Sequence, residues 1–228
     1  MEWTITSTLI LAVGIIVAYL LGSINFAIIV TRLFKKGDIR DYGSGNAGMT
    51  NVLRTVGKTA ALLTLIGDFS KGILSVLFVR LLILLFHIPT DISALVIFDY
   101  LVAFAALIGH LFPVFYGFKG GKGILVSAGA MLILSPWALL CCFVVFMLFA
   151  ATTRYISLGS IAAGVTYPIA NLFLTWMQYG AVHWLEVILS ALIGALVIFM
   201  HRANIKRLLS GTESKVSFKK KTTEPNKQ

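Results

Sequence analysis

Residues 43–54 read GSGNAGMTNVLR and gather glycines, hydroxyls and carboxamides beside one guanidinium. Gly43, Gly45 and Gly48 can adopt positive φ and let a ligand approach the main chain closely. Successive exposed amides in such a loop form a concavity suited to an oxyanion. Ser44, Asn46, Thr50 and Asn51 add polar side chains, and Arg54 adds a planar fork that can hold a phosphate with two bonds. The chemistry indicated is recognition of a phosphoryl group. The plain alternative is a flexible connector with a snorkelling arginine.

Three further stretches carry similar groups. In GHLFPVFYGFKGGKG (109–123), Lys119, Gly120, Gly121 and Lys122 immediately precede an apolar run. A helix starting there would favour an anion through unpaired amides and its dipole. The spacing is not that of a nucleotide-binding P-loop, and His110 reads first as a helix-packing residue. SLGSI (157–161) adds hydroxyls, including Ser160. In HRANIKRLLSGTE (201–213), His201 and Asn204 lie three apart, on one helical face. A histidine there can be a simple dipole partner, and Arg202 and Lys206 can be interfacial anchors. Asp68 and Lys71, also three apart, fall inside an apolar run, where structural pairing is the first expectation. No CxxC, HExxH or carboxylate cluster offers a metal site. Cys141 and Cys142 are adjacent, so they read as small apolar fillers.

The elements that must position these groups are membrane helices. The chain is 58% hydrophobic and 12% charged, about half the charge of a soluble domain. Residues 3–31 lack Asp, Glu, Lys and Arg, and a bilayer crossing needs about 20 apolar residues. A cleaved signal peptide does not fit, because MEWTITS has no basic start and the run is too long. Expected spans are 4–31, 59–86, 93–116, a hairpin of two short arms over 123–153 broken at Ser135-Pro136, 155–185, and 187–200. This is an all-α, polytopic integral membrane bundle of seven transmembrane helices, with the N-terminus outside and the C-terminus in the cytoplasm. With seven spans, all the lysines and arginines except Lys71 and Arg80 fall on one side, as the positive-inside rule requires. The opposite side keeps Glu2, His87, Asp91, His183 and Glu186. Residues 1–210 form one transmembrane catalytic domain and 211–228 a basic cytoplasmic tail, most simply a membrane-surface anchor. No nucleic-acid module is visible.

In this topology all four polar stretches meet the cytoplasm. None comes from mid-membrane, where a transporter for an organic phosphate, the alternative reading, would place its site.

Taken in order, GSGNAGMTNVLR, GHLFPVFYGFKGGKG, SLGSI and HRANIKRL resemble the bacterial acyl-phosphate:glycerol-3-phosphate acyltransferases, over nearly the whole chain from GSIN (22–25) through GTE (211–213). The resemblance implies an inner-membrane enzyme without cofactor or metal, its site facing the cytoplasm. Such an enzyme transfers a fatty acyl group from acyl phosphate to the 1-hydroxyl of glycerol 3-phosphate. It gives lysophosphatidic acid and phosphate in the first acylation of phospholipid synthesis. A soluble enzyme forming the acyl phosphate, and membrane lipid, are the implied partners. By resemblance, Ser44, Gly48, Thr50 and Asn51 hold the acyl phosphate with Asn46 nearby. Arg54, Lys122, Ser160, His201 and Asn204 hold glycerol 3-phosphate. Lys119 is a substitute for Lys122, since either lysine can point inward. The proton of the attacking hydroxyl goes to His201 as general base or, as the family favours, to a phosphate oxygen of the substrate, with His201 positioning the acceptor.

Overall fold

The computed structural model describes residues 5–89 and 91–215. Among them lie ten α-helices: α1 (Ile5–Ser23), α2 (Phe26–Lys35), α3 (Met49–Thr55), α4 (Lys58–Leu85), α5 (Ile92–Leu111), α6 (Ile124–Leu134), α7 (Pro136–Thr153), α8 (Ile156–Tyr179), α9 (Trp184–Met200) and α10 (Arg202–Leu209). Among the described residues, four segments are long and apolar enough to cross a bilayer. A fifth is added if α9 and α10, bent by 58°, count together. The architecture is an all-α polytopic membrane bundle.

Two packed groups make up the bundle. On one side α1 lies on α5 and α4 lies on α6; on the other α8 is flanked by α7 and α9. Helices in lipid gain little from hydrophobic burial against each other and associate by close packing. Glycines supply that closeness here. A methyl group on Gly22 would overlap Ala106 O across α1 and α5, and one on Gly72 would overlap Val126 O across α4 and α6. The two groups are joined by buried polar side chains. Asn171 Nδ2 donates to Tyr100 Oη at 3.0 Å, Ser135 Oγ donates to Asn171 Oδ1 at 2.8 Å, and Tyr167 Oη donates to Tyr100 Oη at 3.2 Å. α7 buries only Ala138 and Cys142, so most of its apolar surface faces outward, as a lipid-facing helix requires.

Two of the expected spans are each built from two pieces. The run 4–31 is not one helix: it breaks at Ile24 and Asn25, and Asn25 caps α2 by accepting the Ile28 amide at 3.2 Å. The span expected over 93–116 is found at Ile92–Tyr116, but α5 ends at Leu111, because Pro113 cannot continue the ladder, and a short 3₁₀ turn at Val114–Tyr116 follows. The hairpin does break at Ser135, with Pro136 in the first turn of α7. Its first arm, α6, has 11 residues; at about 1.5 Å per residue it reaches only about half of a ~30 Å hydrocarbon core. The charges inside the second expected span are paired. Lys71 Nζ is 2.9 Å from Asp68 Oδ1, and Arg80 forks onto Asp99 with a shortest contact of 2.6 Å.

Candidate active site

The loop 43–51 is held by one side chain. Asn51 Nδ2 donates to Ile39 O at 3.2 Å, Tyr42 O at 2.9 Å and Asn46 O at 3.1 Å, while its Oδ1 accepts the Ser44 amide at 3.1 Å. The side chain is 3% exposed. Asn51 therefore shapes the loop and has no polar atom left to meet a substrate. Three amides of the expected cradle are also taken up within the loop, those of Ser44, Gly45 and Gly48, on Asn51 Oδ1, Tyr42 O and Asn46 O. Gly43 and Gly45 do take positive φ, at 58° and 70°. Gly48 sits at −156°, extended backbone open to any residue, and caps the start of α3.

The four polar stretches are tied to one another. Arg40, just ahead of the first stretch, is clamped by Asp38 (Nη2 to Oδ2, 2.8 Å) and donates to Tyr116 O at 2.7 Å and Lys119 O at 3.1 Å, tying the segment that leads into that stretch to the second. Lys122 Nζ donates to Asn204 Oδ1, joining the second to the fourth. Ser157 Oγ donates to Glu213 Oε1 at 2.8 Å, joining the third to the fourth. Arg54 Nη2 donates to Ser214 O at 2.9 Å, tying the first stretch to the residue just past the fourth.

At their junction lies a cleft of about 240 Å³, lined by Ser44, Gly45 and Asn46 from one loop, Gly120, Gly121 and Lys122 from the next, and Asn204 and Arg207 from α10. Arg207 and Asn204 are anchored from behind by Glu213, whose Oε2 accepts Arg207 Nε at 2.6 Å and whose Oε1 accepts Asn204 Nδ2 at 2.7 Å. Burial alone would raise the Glu213 pKa, but the hydrogen bonds from Asn204, Ser157 and Arg207 outweigh it and hold the carboxyl below its usual range. Lys122 goes the other way. Burial, then the Arg207 guanidinium and more distantly Arg54, push it down to about 8 against the pull of Glu213. The cleft thus presents three cations, Lys122, Arg202 and Arg207, beside Ser44 and Asn46.

Of the residues singled out from sequence, Ser44, Asn46, Lys122 and Asn204 line this cleft. The lysine ambiguity resolves geometrically: Lys119 is exposed with its carbonyl held by Arg40, and Lys122 faces the cleft. Arg54 stands at the rim, exposed and bonded to Ser214 O. Gly48 and Thr50 begin α3, outside the lining. Ser160 Oγ donates to Ile156 O of its own helix at 3.0 Å, and it is Ser157 that joins the network, through Glu213. His201 is 3% exposed at the bend between α9 and α10. Its Nδ1 lies 2.8 Å from Val197 O, and a carbonyl only accepts, so the proton sits on Nδ1 and Nε2 is left as the acceptor.

A model of the family described as glycerol-3-phosphate acyltransferase matches residues 12–211. The chain belongs to that family. It is 43% identical over 203 residues to a glycerol-3-phosphate acyltransferase of Neisseria meningitidis serogroup C (strain 053442), covering 89% of this chain and 96% of that one. It is 43% identical over 205 residues to one of Clostridioides difficile (strain 630), covering 90% and 95%. Among solved structures it is similar to PlsY (YgiH), an integral membrane glycerol 3-phosphate acyltransferase. To the glycerol 3-phosphate form the TM-score is 0.75 at 38% identity, covering 91% of this chain and 96% of that one. To the lysophosphatidic acid form it is 0.73 at 37% identity, covering 91% and 95%.

Sequence reasoning missed Arg207, Glu213, Ser157 and Arg40. Arg207 was within reach, since His201, Asn204 and Arg207 repeat every three residues along one face of α10. Glu213 stands out as an acid in a basic segment. Arg40 gave no signal, because its partners are main-chain carbonyls far along the chain.

Proposed function

We propose that the chain is a glycerol-3-phosphate 1-O-acyltransferase using acyl phosphate as donor and producing lysophosphatidic acid at a cleft facing the cytoplasm. The observation that carries this reading is the cleft itself: a space of about 240 Å³ lined by the cations Lys122, Arg202 and Arg207 together with Ser44 and Asn46 of the polar loop. The neighbouring structure of a glycerol 3-phosphate form supports the same acceptor here. Lys122, Arg207 and Asn204, with Arg54 at the rim, grip the acceptor phosphate. Ser44 and Asn46 face the donor's phosphoryl group, and Gly48, Thr50 and Asn51 give that loop its shape. Ser160 and His201 support the acceptor side from behind.

An acyl phosphate is a mixed anhydride with a good leaving group, so no covalent serine or cysteine intermediate is required. The acceptor's 1-hydroxyl oxygen bonds to the acyl carbon, the carbonyl carbon–phosphate oxygen bond breaks, and the hydroxyl proton ends on the departing phosphate. The proton balance closes within the substrates. What the protein supplies is alignment of hydroxyl with carbonyl and stabilisation of charge on the phosphoryl oxygens. His201, buried behind the cleft, acts as a positioning group in this scheme. Seven membrane helices, with α1–α2 counted as one and the short α6 joined to α7 as a hairpin that enters and returns on one side, leave the four stretches on the cytoplasmic face.

The test is product formation by purified protein in detergent with no closed vesicle. Acyl phosphate and glycerol 3-phosphate should give lysophosphatidic acid and inorganic phosphate in equal amounts, whereas acyl-CoA and acyl carrier protein donors should give none. Turnover with either thioester donor at the acyl-phosphate rate would refute the donor assignment.

A further inference from the structure

A second set of polar groups lies behind the cleft. Lys71 Nζ, on α4, is 2.9 Å from Gly22 O, 2.7 Å from Ile24 O, 2.9 Å from Asp68 Oδ1 and 2.9 Å from His110 Nδ1. The two carbonyls are those at the α1–α2 break. Asp68, Lys71 and His110 are 1%, 3% and 4% exposed. An ammonium can only donate, so His110 Nδ1 accepts and the ring carries its proton on Nε2. That far nitrogen faces the second site loop: a methyl group on Gly121 would overlap His110 Nε2 and lie 2.6 Å from Ala47 O. The main chain is fastened at the same place, with the Gly121 amide on His110 O at 3.1 Å and the Gly120 amide on Leu111 O at 3.1 Å.

The imidazole is therefore a spacer. One edge is pinned by a buried charge and the other meets the residue just before Lys122, where the two site loops touch. Neutralising Lys71 requires only Asp68, and filling the space requires only an apolar ring. A ring that accepts on one edge and supports Gly121 on the other does more than either.

We infer that His110, held by Lys71, is a positioning residue for the acceptor: it fixes the place of Gly121 and so the direction in which Lys122 points. The inference rests on the proposed grip of Lys122 on the acceptor phosphate.

Steady-state kinetics of the purified full chain in detergent test it, with glycerol 3-phosphate and acyl phosphate varied in turn. His110→Asn keeps an acceptor for Lys71 but is too short to reach Gly121. It should raise the acceptor KM at least about tenfold, with donor KM within about twofold and a thermal midpoint near wild type. His110→Gln, which returns a polar atom to the far edge, should bring the acceptor KM to within about threefold of wild type. Combined with Lys122→Ala, His110→Asn should add nothing, because both remove the same grip. A wild-type acceptor KM in His110→Asn overturns the inference, as does an additive double variant or a His110→Gln worse than His110→Asn. A fall in kcat with both KM values unchanged and a lowered midpoint would reduce His110 to packing. If Lys122→Ala itself keeps a wild-type acceptor KM, the proposed site falls with it; if Lys122→Ala is defective and His110→Asn is not, the inference falls alone.

Discussion

At the scale of single residues the account turns on the charge of Lys122. A lysine ordinarily titrates near 10.5, and burial with neighbouring guanidiniums brings this one to about 8. Below pH 8 it is an ammonium and attracts a phosphate dianion; above pH 8 it is a neutral amine and the attraction is lost. The acceptor KM should accordingly climb about tenfold between pH 7 and 9. Lys122→Arg, whose guanidinium stays charged across that range, should show a flat profile at whatever KM it has. A wild-type KM flat over the same range would remove Lys122 from the grip. The residue scale is also where sequence was least sufficient. Asn51 looked like a substrate ligand because carboxamides beside an arginine suit a phosphate, and only coordinates reveal that its amide is spent on Ile39, Tyr42 and Asn46. Ser157 and Ser160 were indistinguishable in SLGSI. Their difference lies in which one faces Glu213.

At the scale of elements, helix type and order were legible because charge-free runs of this length have few other uses in water or lipid. Breaks were harder. Pro136 ends one helix and starts another, whereas Pro168 lies inside α8 without interrupting it; membrane helices tolerate such a proline where the freed carbonyl is met by neighbours. The α1–α2 break contains no proline at all. Asn25 caps the new helix while Lys71, nearly fifty positions away, takes the loose carbonyls, a partnership invisible to local pattern. The site loop is a comparable element, and its keystone can be removed. Asn51→Ala should cut turnover at least about tenfold and lower the thermal midpoint, since each buried polar group left unpaired costs about 1–3 kcal/mol. Asn51→Asp should be worse, because it sets a carboxylate oxygen against three carbonyls. Thermal unfolding and turnover in detergent would check both, and a wild-type-like Asn51→Asp would dismiss the keystone role.

At the scale of the whole molecule, what sequence could offer was an expectation of sidedness: nearly all cations on one face, and the polar stretches with them. The structure brings those stretches together through Arg40, Lys122, Ser157 and Arg54. Convergence was legible because polar loops scattered by chance would divide between two faces. Just past residue 210 the chain is still held, by the bonds of Glu213 to Ser157, Asn204 and Arg207. The basic tail from residue 216 onward lies outside the described residues. The central claim, one site on the cytoplasmic face of a bundle of seven membrane helices, is tested most directly by labelling single cysteines in sealed vesicles of both orientations. The background should lack Cys141 and Cys142. Cysteines at Ser44, Lys119 and Ser214 should react with a membrane-impermeant maleimide only from the cytoplasmic side, and one at Asp91 only from the other. If Lys119 and Asp91 react from the same side, the seven-helix topology and the one-faced site are both contradicted.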